Sequence, residues 1–468
     1  METDRHFLDI FFNPRNIAVV GVSRNPQAFN SNLFHNLVKL GFSGKLYPVN
    51  PNADEFFGIK AYSSLQEIQD DVDLVISSVP ARLTLDIMKA CVEKKVKCVV
   101  LVSGGFSETG QHGKQMQDEI AHLLKENGIR VIGPNVLSPI NCSNNLVISF
   151  HDVQKIRKGT ASFIFQSGMY DLRINWLFSD FHLSVSKLID LGNKMDVSEV
   201  EALEYLAEDP DTEVIGIHLE SLKGDGREFA KLLRSTTMRK PVVVLKTGST
   251  MAGAMAAASH TGAIVKGSNI VFDTVLKQSG AIQTDNIDDF FDFAKAFEFL
   301  NPPKGNKCVF ATISGGEGVL AMDICQREGL VLASPSRETL DRVGAIFPPW
   351  EIPVNPLDLG ICFQFSDIEE IYRTFIESMA QDANVDIILI NLPVVILPFP
   401  VKEFCRTFAM AREMGKTIVT WAVFTGDGVY RLAEEMEMNN IPVYTSAARA
   451  IKAVSTLYTY KLINKIPD

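Results

Sequence analysis

The amino-acid sequence predicts an α/β protein of three doubly wound domains, each a parallel sheet with helices on both faces. Two observations carry this expectation. Short, nearly continuous apolar runs recur at helix-length intervals, which is how strands read when both faces of a sheet are covered. The same strand, tight turn and helix start also appears three times, at Arg15 to Gly21, Thr160 to Gly168 and Cys308 to Gly316. Length agrees, because 468 residues are too many for one core and, at roughly 150 per domain, give about three.

The elements follow in order. Arg15 to Gly21 is a strand closed by a glycine turn, and Ser31 to Leu40 carries apolar side chains at helical spacing. Strands are expected at Lys45–Val49, Asp73–Val79, Cys98–Val102 and Arg130–Ile132. The pattern restarts with a strand at Thr160–Phe165, stopped by Gln166-Ser167-Gly168, and continues with strands at Val214–Leu219 and Pro241–Lys246. It restarts again with Cys308–Ile313, stopped by Ser314-Gly315-Gly316. The polar stretch Asn141 to Gly159 and the segment Asn301-Pro302-Pro303-Lys304-Gly305 are the expected boundaries, giving domains 1–145, 146–302 and 303–468. Val385 to Val401 is the most apolar stretch, yet Asp386, Asn391 and its prolines break it too often to span a bilayer. It reads as a buried strand running into a loop, and no membrane partner is expected.

Composition narrows the function classes. Forty-five basic residues against 56 acidic ones leave a net charge of −11, without the positive field that phosphate backbones attract, so nucleic acid is not an expected partner. The 7 cysteines are odd in number, scattered and without a Cys-x-x-Cys pair, which argues against a disulfide framework and a structural zinc site. They read as reduced thiols of a cytoplasmic protein, with no metal site. The start, Met-Glu-Thr-Asp-Arg-His, is acidic and lacks the apolar core of a signal peptide.

Three segments could carry chemistry. The turn Gly21-Val22-Ser23-Arg24-Asn25-Pro26 lies between strand and helix, where free N–H groups and the helix dipole attract phosphate. A dinucleotide fits poorly, because the later glycines of that fingerprint are missing and the second strand ends in Asn50 rather than an acid. A phosphate-binding Walker loop is also absent, since Gly415-Lys416-Thr417 has Met410 at the first glycine position. Gly248 to Ile264, rich in alanine and glycine and uncharged, holds a single histidine, His260. One reading is a buried alanine-rich helix with an incidental imidazole. The other is a hinged arm, freed by Gly253 and Gly262, that carries the imidazole between two places. A nucleophilic histidine needs an acceptor to hold its second nitrogen, and Glu220, ending the strand Val214–Leu219, is the candidate. His218 is taken as a core residue.

Several of these segments together resemble a known family. The matches are the turn at 21–26, Tyr-Pro-Val-Asn-Pro at 47–51, Ser-Gly-Gly-Phe-Ser-Glu-Thr-Gly at 103–110, Ile-Gly-Pro-Asn at 132–135 and Gln-Ser-Gly at 166–168. Leu-Gly-Asn-Lys-x-Asp at 191–196, Ser-His-Thr-Gly at 259–262 and Asn-Pro-Leu-Asp-Leu at 355–359 complete the set. The chain resembles, over nearly its whole length, the NDP-forming acyl-CoA synthetases related to succinyl-CoA synthetase, in particular the alpha subunit of ADP-forming acetate–CoA ligases.

The resemblance implies a Rossmann-like CoA-binding domain followed by two flavodoxin-like domains. It implies CoA-binding roles for Gly21, Ser23, Arg24, Asn25, Pro26, Asn50, Val79, Pro80, Ser103 and Asn135. His260 becomes the phosphorylated residue, Glu220 its holder, and Gln166, Ser167 and Gly168 the phosphate-binding turn. The implied reaction interconverts acyl-CoA, ADP and phosphate with a carboxylic acid, CoA and ATP, through an acyl phosphate and a phosphohistidine. ADP or ATP with Mg is bound mainly by an ATP-grasp beta subunit, so a hetero-oligomer is expected. The sequence departs from the family at Met169, Tyr170 and Asp171, where small residues are usual, and at Ser138, where glycine is usual. A catalytically altered CoA or acyl-CoA binding protein is therefore the alternative reading, with an NAD-dependent dehydrogenase a remote third.

Overall fold

The computed structural model describes residues 5–25, 27–248, 250, 252–253, 255, 269–351, 353–393, 400–422 and 427–464. His260 and Pro26 lie outside these residues, as does most of the alanine-rich segment. The chain forms two compact units, Met1–Asn286 and Ile287–Asp468.

The first unit holds two sheets. In the first, the strands are β1 (Asn16–Val20), β2 (Lys45–Val49), β5 (Leu74–Ser77), β6 (Cys98–Leu101) and β7 (Arg130–Ile132), with a small hairpin of β3 (Glu55–Phe56) and β4 (Ile59–Lys60) beside them. All five large-sheet strands run parallel in the order β2-β1-β5-β6-β7. Every residue of β5 and β6 is buried, as the unbroken apolar runs require. The second sheet contains β8 (Ile140–Asn141), β9 (Leu146–Val147), β10 (Ala161–Phe165), β11 (Lys187–Asp190), β12 (Val214–Leu219), β13 (Val242–Lys246) and β14 (Ile282–Thr284), in the order β14-β13-β12-β10-β11-β8-β9. Strands β10 to β14 are parallel, while β8 and β9 add an antiparallel margin.

The two sheets share apolar packing. One buried cluster runs from Leu8, Phe11 and Phe12 through Ile17, Val19 and Leu74 to Ile164, Ile189 and Ile215. The polar stretch that suggested a linker near residue 145 thus feeds β8 and β9 into the second sheet, and no free tether separates the two. A buried ion pair anchors the start of β11, with Lys187 Nζ 2.9 and 2.8 Å from the carboxylate oxygens of Asp209.

The second unit is built on β15 (Lys307–Thr312), β16 (Val331–Leu332), β17 (Leu357–Asp358), β18 (Ile387–Asn391), β19 (Thr417–Trp421) and β20 (Val443–Tyr444), ordered β16-β15-β18-β19-β20 with β17 beside β15. The buried strand expected within Val385 to Val401 is β18, and positions 394–399 after it lie outside the described residues. The helix Ile287–Phe299 packs on the helix Ala447–Asn464. Arg449 reaches Asp292 at 2.5 and 2.8 Å, and the rings of Phe297 and Tyr460 lie 5.0 Å apart. The unit therefore divides from the first at Asn286, ahead of the proline segment at 301–305.

Read by order of appearance and leaving out the antiparallel and marginal strands, all three sheets have the sequence 2-1-3-4-5. This is the flavodoxin-like order, and it places a crevice where the loops after the first and third strands part.

Candidate functional site

The crevice of the first sheet opens between the ends of β1 and β5. Gly21 leaves β1 with φ of +90°, and a Cβ there would stand 3.0 Å from Val79 Cγ1, so only glycine fits. Ser23 Oγ accepts the N–H of Asn25 at 3.1 Å, and Arg24 Nη1 donates to the carbonyl of Asn52 at 2.9 Å. Asn50 ties the facing loops together, donating to the carbonyl of Val22 at 2.9 Å and accepting from Asn52 N–H at 2.8 Å. Val79 and Pro80 lead from β5 into the helix Ala81–Lys94. Ser103 and Asn135 meet at the neighbouring strand ends, the carbonyl of Ser103 accepting Asn135 N–H at 3.1 Å. The described residues expected to bind CoA thus stand on one edge of one sheet, with Asn50 also serving as a brace.

The motif at 103–110 and those at 132–135 and 191–196 form a joint between the two sheets. Glu108 accepts from Gly105 and Phe106 N–H at 2.5 and 3.1 Å, and from Asn193 Nδ2 at 2.6 Å. Asn193 and Met195 N–H donate to the carbonyls of Pro134 and Gly133 at 3.0 and 2.9 Å. A Cβ on Gly192 would lie 2.3 Å from Pro134 O, so this approach requires glycine.

The second crevice opens between β10 and β12. Gln166, buried after β10, directs its side chain across the gap. Its Oε1 accepts the N–H groups of Glu220 and Ser221, both at 2.9 Å, and its Nε2 donates to Ser221 Oγ at 2.8 Å. Gln166 thereby fixes the backbone on which Glu220 is mounted, while Ser167 and Gly168 form the turn. Lys194 secures the same loop from below, with Nζ 2.6 Å from the carbonyl of Ser221 and 3.0 Å from Glu199 Oε2. Glu199 Oε1 in turn accepts Lys223 N–H at 2.7 Å. Burial lowers the affinity of the Lys194 ammonium for its proton, and the Glu199 carboxylate opposes that. Lys246 Nζ adds a further bond to the carbonyl of Glu220, at 2.9 Å.

His218 is 1% exposed, its Nε2 3.1 Å from Thr247 Oγ1, and burial pushes its pKa down to about 4, a neutral core imidazole as expected. Tyr170, fully buried, stacks on Phe165 with ring centroids 4.8 Å apart. Asp171 turns into the protein, 3.9 Å from His151 Nε2. Ser138 is buried and donates to the carbonyl of Asp190 at 3.0 Å.

Asp190, which sequence reasoning did not single out, ends β11 beside this turn. Its position carried a signal, since an acid closing an apolar strand at the carboxyl edge is what drew attention to Glu220. Among the described residues no group of three or more His, Cys, Asp and Glu side chains is arranged to hold a metal ion, and no helix is long and apolar enough to cross a membrane.

Comparison with known proteins agrees with this architecture. Residues 15–138 match a CoA binding domain model, and residues 158–297 match the succinyl-CoA ligase like flavodoxin domain. The alpha subunit of ADP-forming acetate–CoA ligase II from Pyrococcus furiosus is 36% identical over 441 residues, covering 93% of this chain and 94% of that protein. The chain belongs to the ADP-forming acetate–CoA ligase family. A longer family member, acetate–CoA ligase [ADP-forming] II of Archaeoglobus fulgidus, is 34% identical over 97% of this chain, which spans 66% of that protein's length. Among solved structures, the dinucleotide-forming acetyl-coenzyme A synthetase 1 of Candidatus Korarchaeum cryptofilum, in complex with phosphate and ADP, superposes with a TM-score of 0.84 at 29% identity. That match covers 98% of this chain and 97% of the other. In this ligase family member, the first crevice falls within the CoA binding match and the second within the flavodoxin match.

Proposed function

We propose that this chain is the alpha subunit of an ADP-forming acyl-CoA synthetase, converting acyl-CoA, ADP and phosphate to a carboxylic acid, CoA and ATP, or the reverse. The observation that carries the reading is the pair of crevices in one unit, one at the CoA binding match and one bearing Glu220 on a braced loop.

The first crevice, with Gly21, Ser23, Arg24, Asn25, Asn50, Val79, Pro80, Ser103 and Asn135 along its edge, holds CoA. Phosphate attacks the thioester carbonyl, the C–S bond breaks, and CoA leaves with an acyl phosphate remaining. A nitrogen of His260 then attacks phosphorus, a P–N bond forms, the P–O bond to the acyl group breaks, and the carboxylate departs. Glu220 accepts from the other ring nitrogen, which orients the imidazole and stabilises its charge. Backbone N–H groups at Ser167 and Gly168 face charge spread over the phosphoryl oxygens. The phosphohistidine finally transfers its group to ADP, held with Mg by an ATP-grasp partner subunit. A domain of that kind fits within the further length of the Archaeoglobus relative.

The test is reconstitution with an ATP-grasp subunit. ATP formation from acyl-CoA, ADP and phosphate requires both chains, and His260→Ala abolishes it while calorimetric CoA binding stays within twofold. Turnover by His260→Ala would exclude the mechanism. The carboxyl groups of Asp171 and Asp190 beside the phosphate turn favour one second reading, a CoA or acyl-CoA binding protein altered in catalysis. It predicts CoA binding with no phosphohistidine under any partner.

A further inference from the structure

The two departures from the family pattern, Met169-Tyr170-Asp171 and Ser138, converge on Asp190. Asp190 is 0% exposed, and among the described residues its carboxylate accepts only the N–H groups of Leu137 at 3.0 Å and Gly192 at 3.2 Å. Ser138 Oγ holds its carbonyl. Its Oδ2 faces the glycine of the phosphate turn, 4.0 Å from where a Gly168 Cβ would stand.

The groups around it are negative or neutral. Tyr170 and Asp171 approach from the turn and Glu220 from the end of β12. Among the described residues the Tyr170 hydroxyl and Asp171 Oδ1 are buried without hydrogen-bond partners. Among the described residues the lysines and arginine of the crevice are engaged elsewhere: Lys194 with Glu199 and Ser221 O, Lys246 with the carbonyls of Glu220 and Thr247, and Arg173 with the carbonyl of Met169, while the His151 ring stands 3.9 Å from Asp171. A carboxylate buried among acids and given no cation is costly to ionise. Burial pushes Asp190 up to about 7, with Asp171 and Glu220 adding to the shift against its two N–H donors.

We infer that Asp190 couples anion binding at the Gly168 turn to protonation, so that the crevice accepts a phosphate or acyl phosphate together with one proton taken from solvent onto the Asp190 carboxylate. This rests on the proposed function for the identity of the anion and deepens it. The incoming charge would otherwise face Asp190, Asp171 and Glu220 at once, and neutralising the most buried of them removes the largest repulsion. Asp190 is here a positioning residue, acting through the electrostatics of the turn.

Sulfate is the probe, because its charge is constant between pH 6 and 8.5. Calorimetric titration of the full chain in two buffers of different ionisation enthalpy counts protons taken up per sulfate bound. In the wild-type protein uptake exceeds that of Asp190→Asn at full linkage by about half a proton near pH 7, approaching about one above pH 8, and affinity falls up to about tenfold per pH unit above 7. Asp190→Asn loses that uptake and most of the slope. Asp190→Ser, smaller and also uncharged, gives the same loss should the amide disturb folding. Equal proton uptake in the wild type and the variants overturns the inference, as does a wild-type chain that binds no sulfate at the turn. A chain that forms phosphohistidine but shows no Asp190-dependent uptake refutes this coupling alone. A chain that is never phosphorylated refutes the functional reading and leaves the sulfate result standing.

Discussion

Gln166 illustrates how a motif residue can act at one remove from chemistry. Its three side-chain hydrogen bonds all end on Glu220 and Ser221. Gln166→Ala leaves two backbone donors without their acceptor, a cost of about 1–3 kcal/mol for each that stays buried. Phosphohistidine formation is expected to fall by at least tenfold with CoA affinity unchanged, as measured by label incorporation and calorimetry. Asp190 and His218 give unfolding a definite pH dependence. Asp190 is raised when folded, so its contribution is neutral below its unfolded value near 4 and turns unfavourable as pH climbs towards 7, at about 1.4 kcal/mol per unit. His218 is depressed when folded, so the stability linked to its neutral ring is present above about 6.5 and lost as pH falls towards 4. Urea unfolding of Asp190→Asn should therefore show a gain over wild type that grows between pH 4.5 and pH 7.5, by up to about 4 kcal/mol.

Among the elements, the loop 220–224 depends on the buried pair Lys194 and Glu199. Lys194→Met strands a carboxylate that is fully buried, which costs about 3–5 kcal/mol, and Lys194→Met with Glu199→Gln recovers part of it. Denaturant midpoints compare the two. The strands that build these crevices were legible because each is apolar on both faces: Asn16–Val20, Lys45–Val49 and Val214–Leu219 lie within a residue of where the runs of the sequence put them. The partners of Ile287–Phe299 were not. Phe290, Phe291 and Phe293 announce a buried helix, but a helix's own pattern does not say which sheet it covers. Asp190 was missed for a related reason, since an acid at a strand end is ordinarily solvated, whereas tertiary packing leaves this one 0% exposed.

For the whole molecule, the family resemblance was readable because motifs such as Gly133-Pro134-Asn135 and Leu191-Gly192-Asn193-Lys194 stand in a fixed order along the chain. Much of that signal reports a structural joint: Gly192 has no room for a Cβ against Pro134 and Asn135, and Asn193 bonds Glu108. Gly192→Ala should consequently loosen the joint and weaken CoA binding at least fivefold by calorimetry, although residue 192 is outside the expected CoA set. The proposed chemistry rests on fewer positions, His260 foremost among them. The direct measurement is transfer of radiolabelled phosphate from ATP, with an ATP-grasp subunit present, followed by mapping of the modified residue. Phosphoryl relay through His260 requires an acid-labile, base-stable label confined to that residue and absent from His260→Asn; a label on another residue, or one that survives in His260→Asn, rules the relay out.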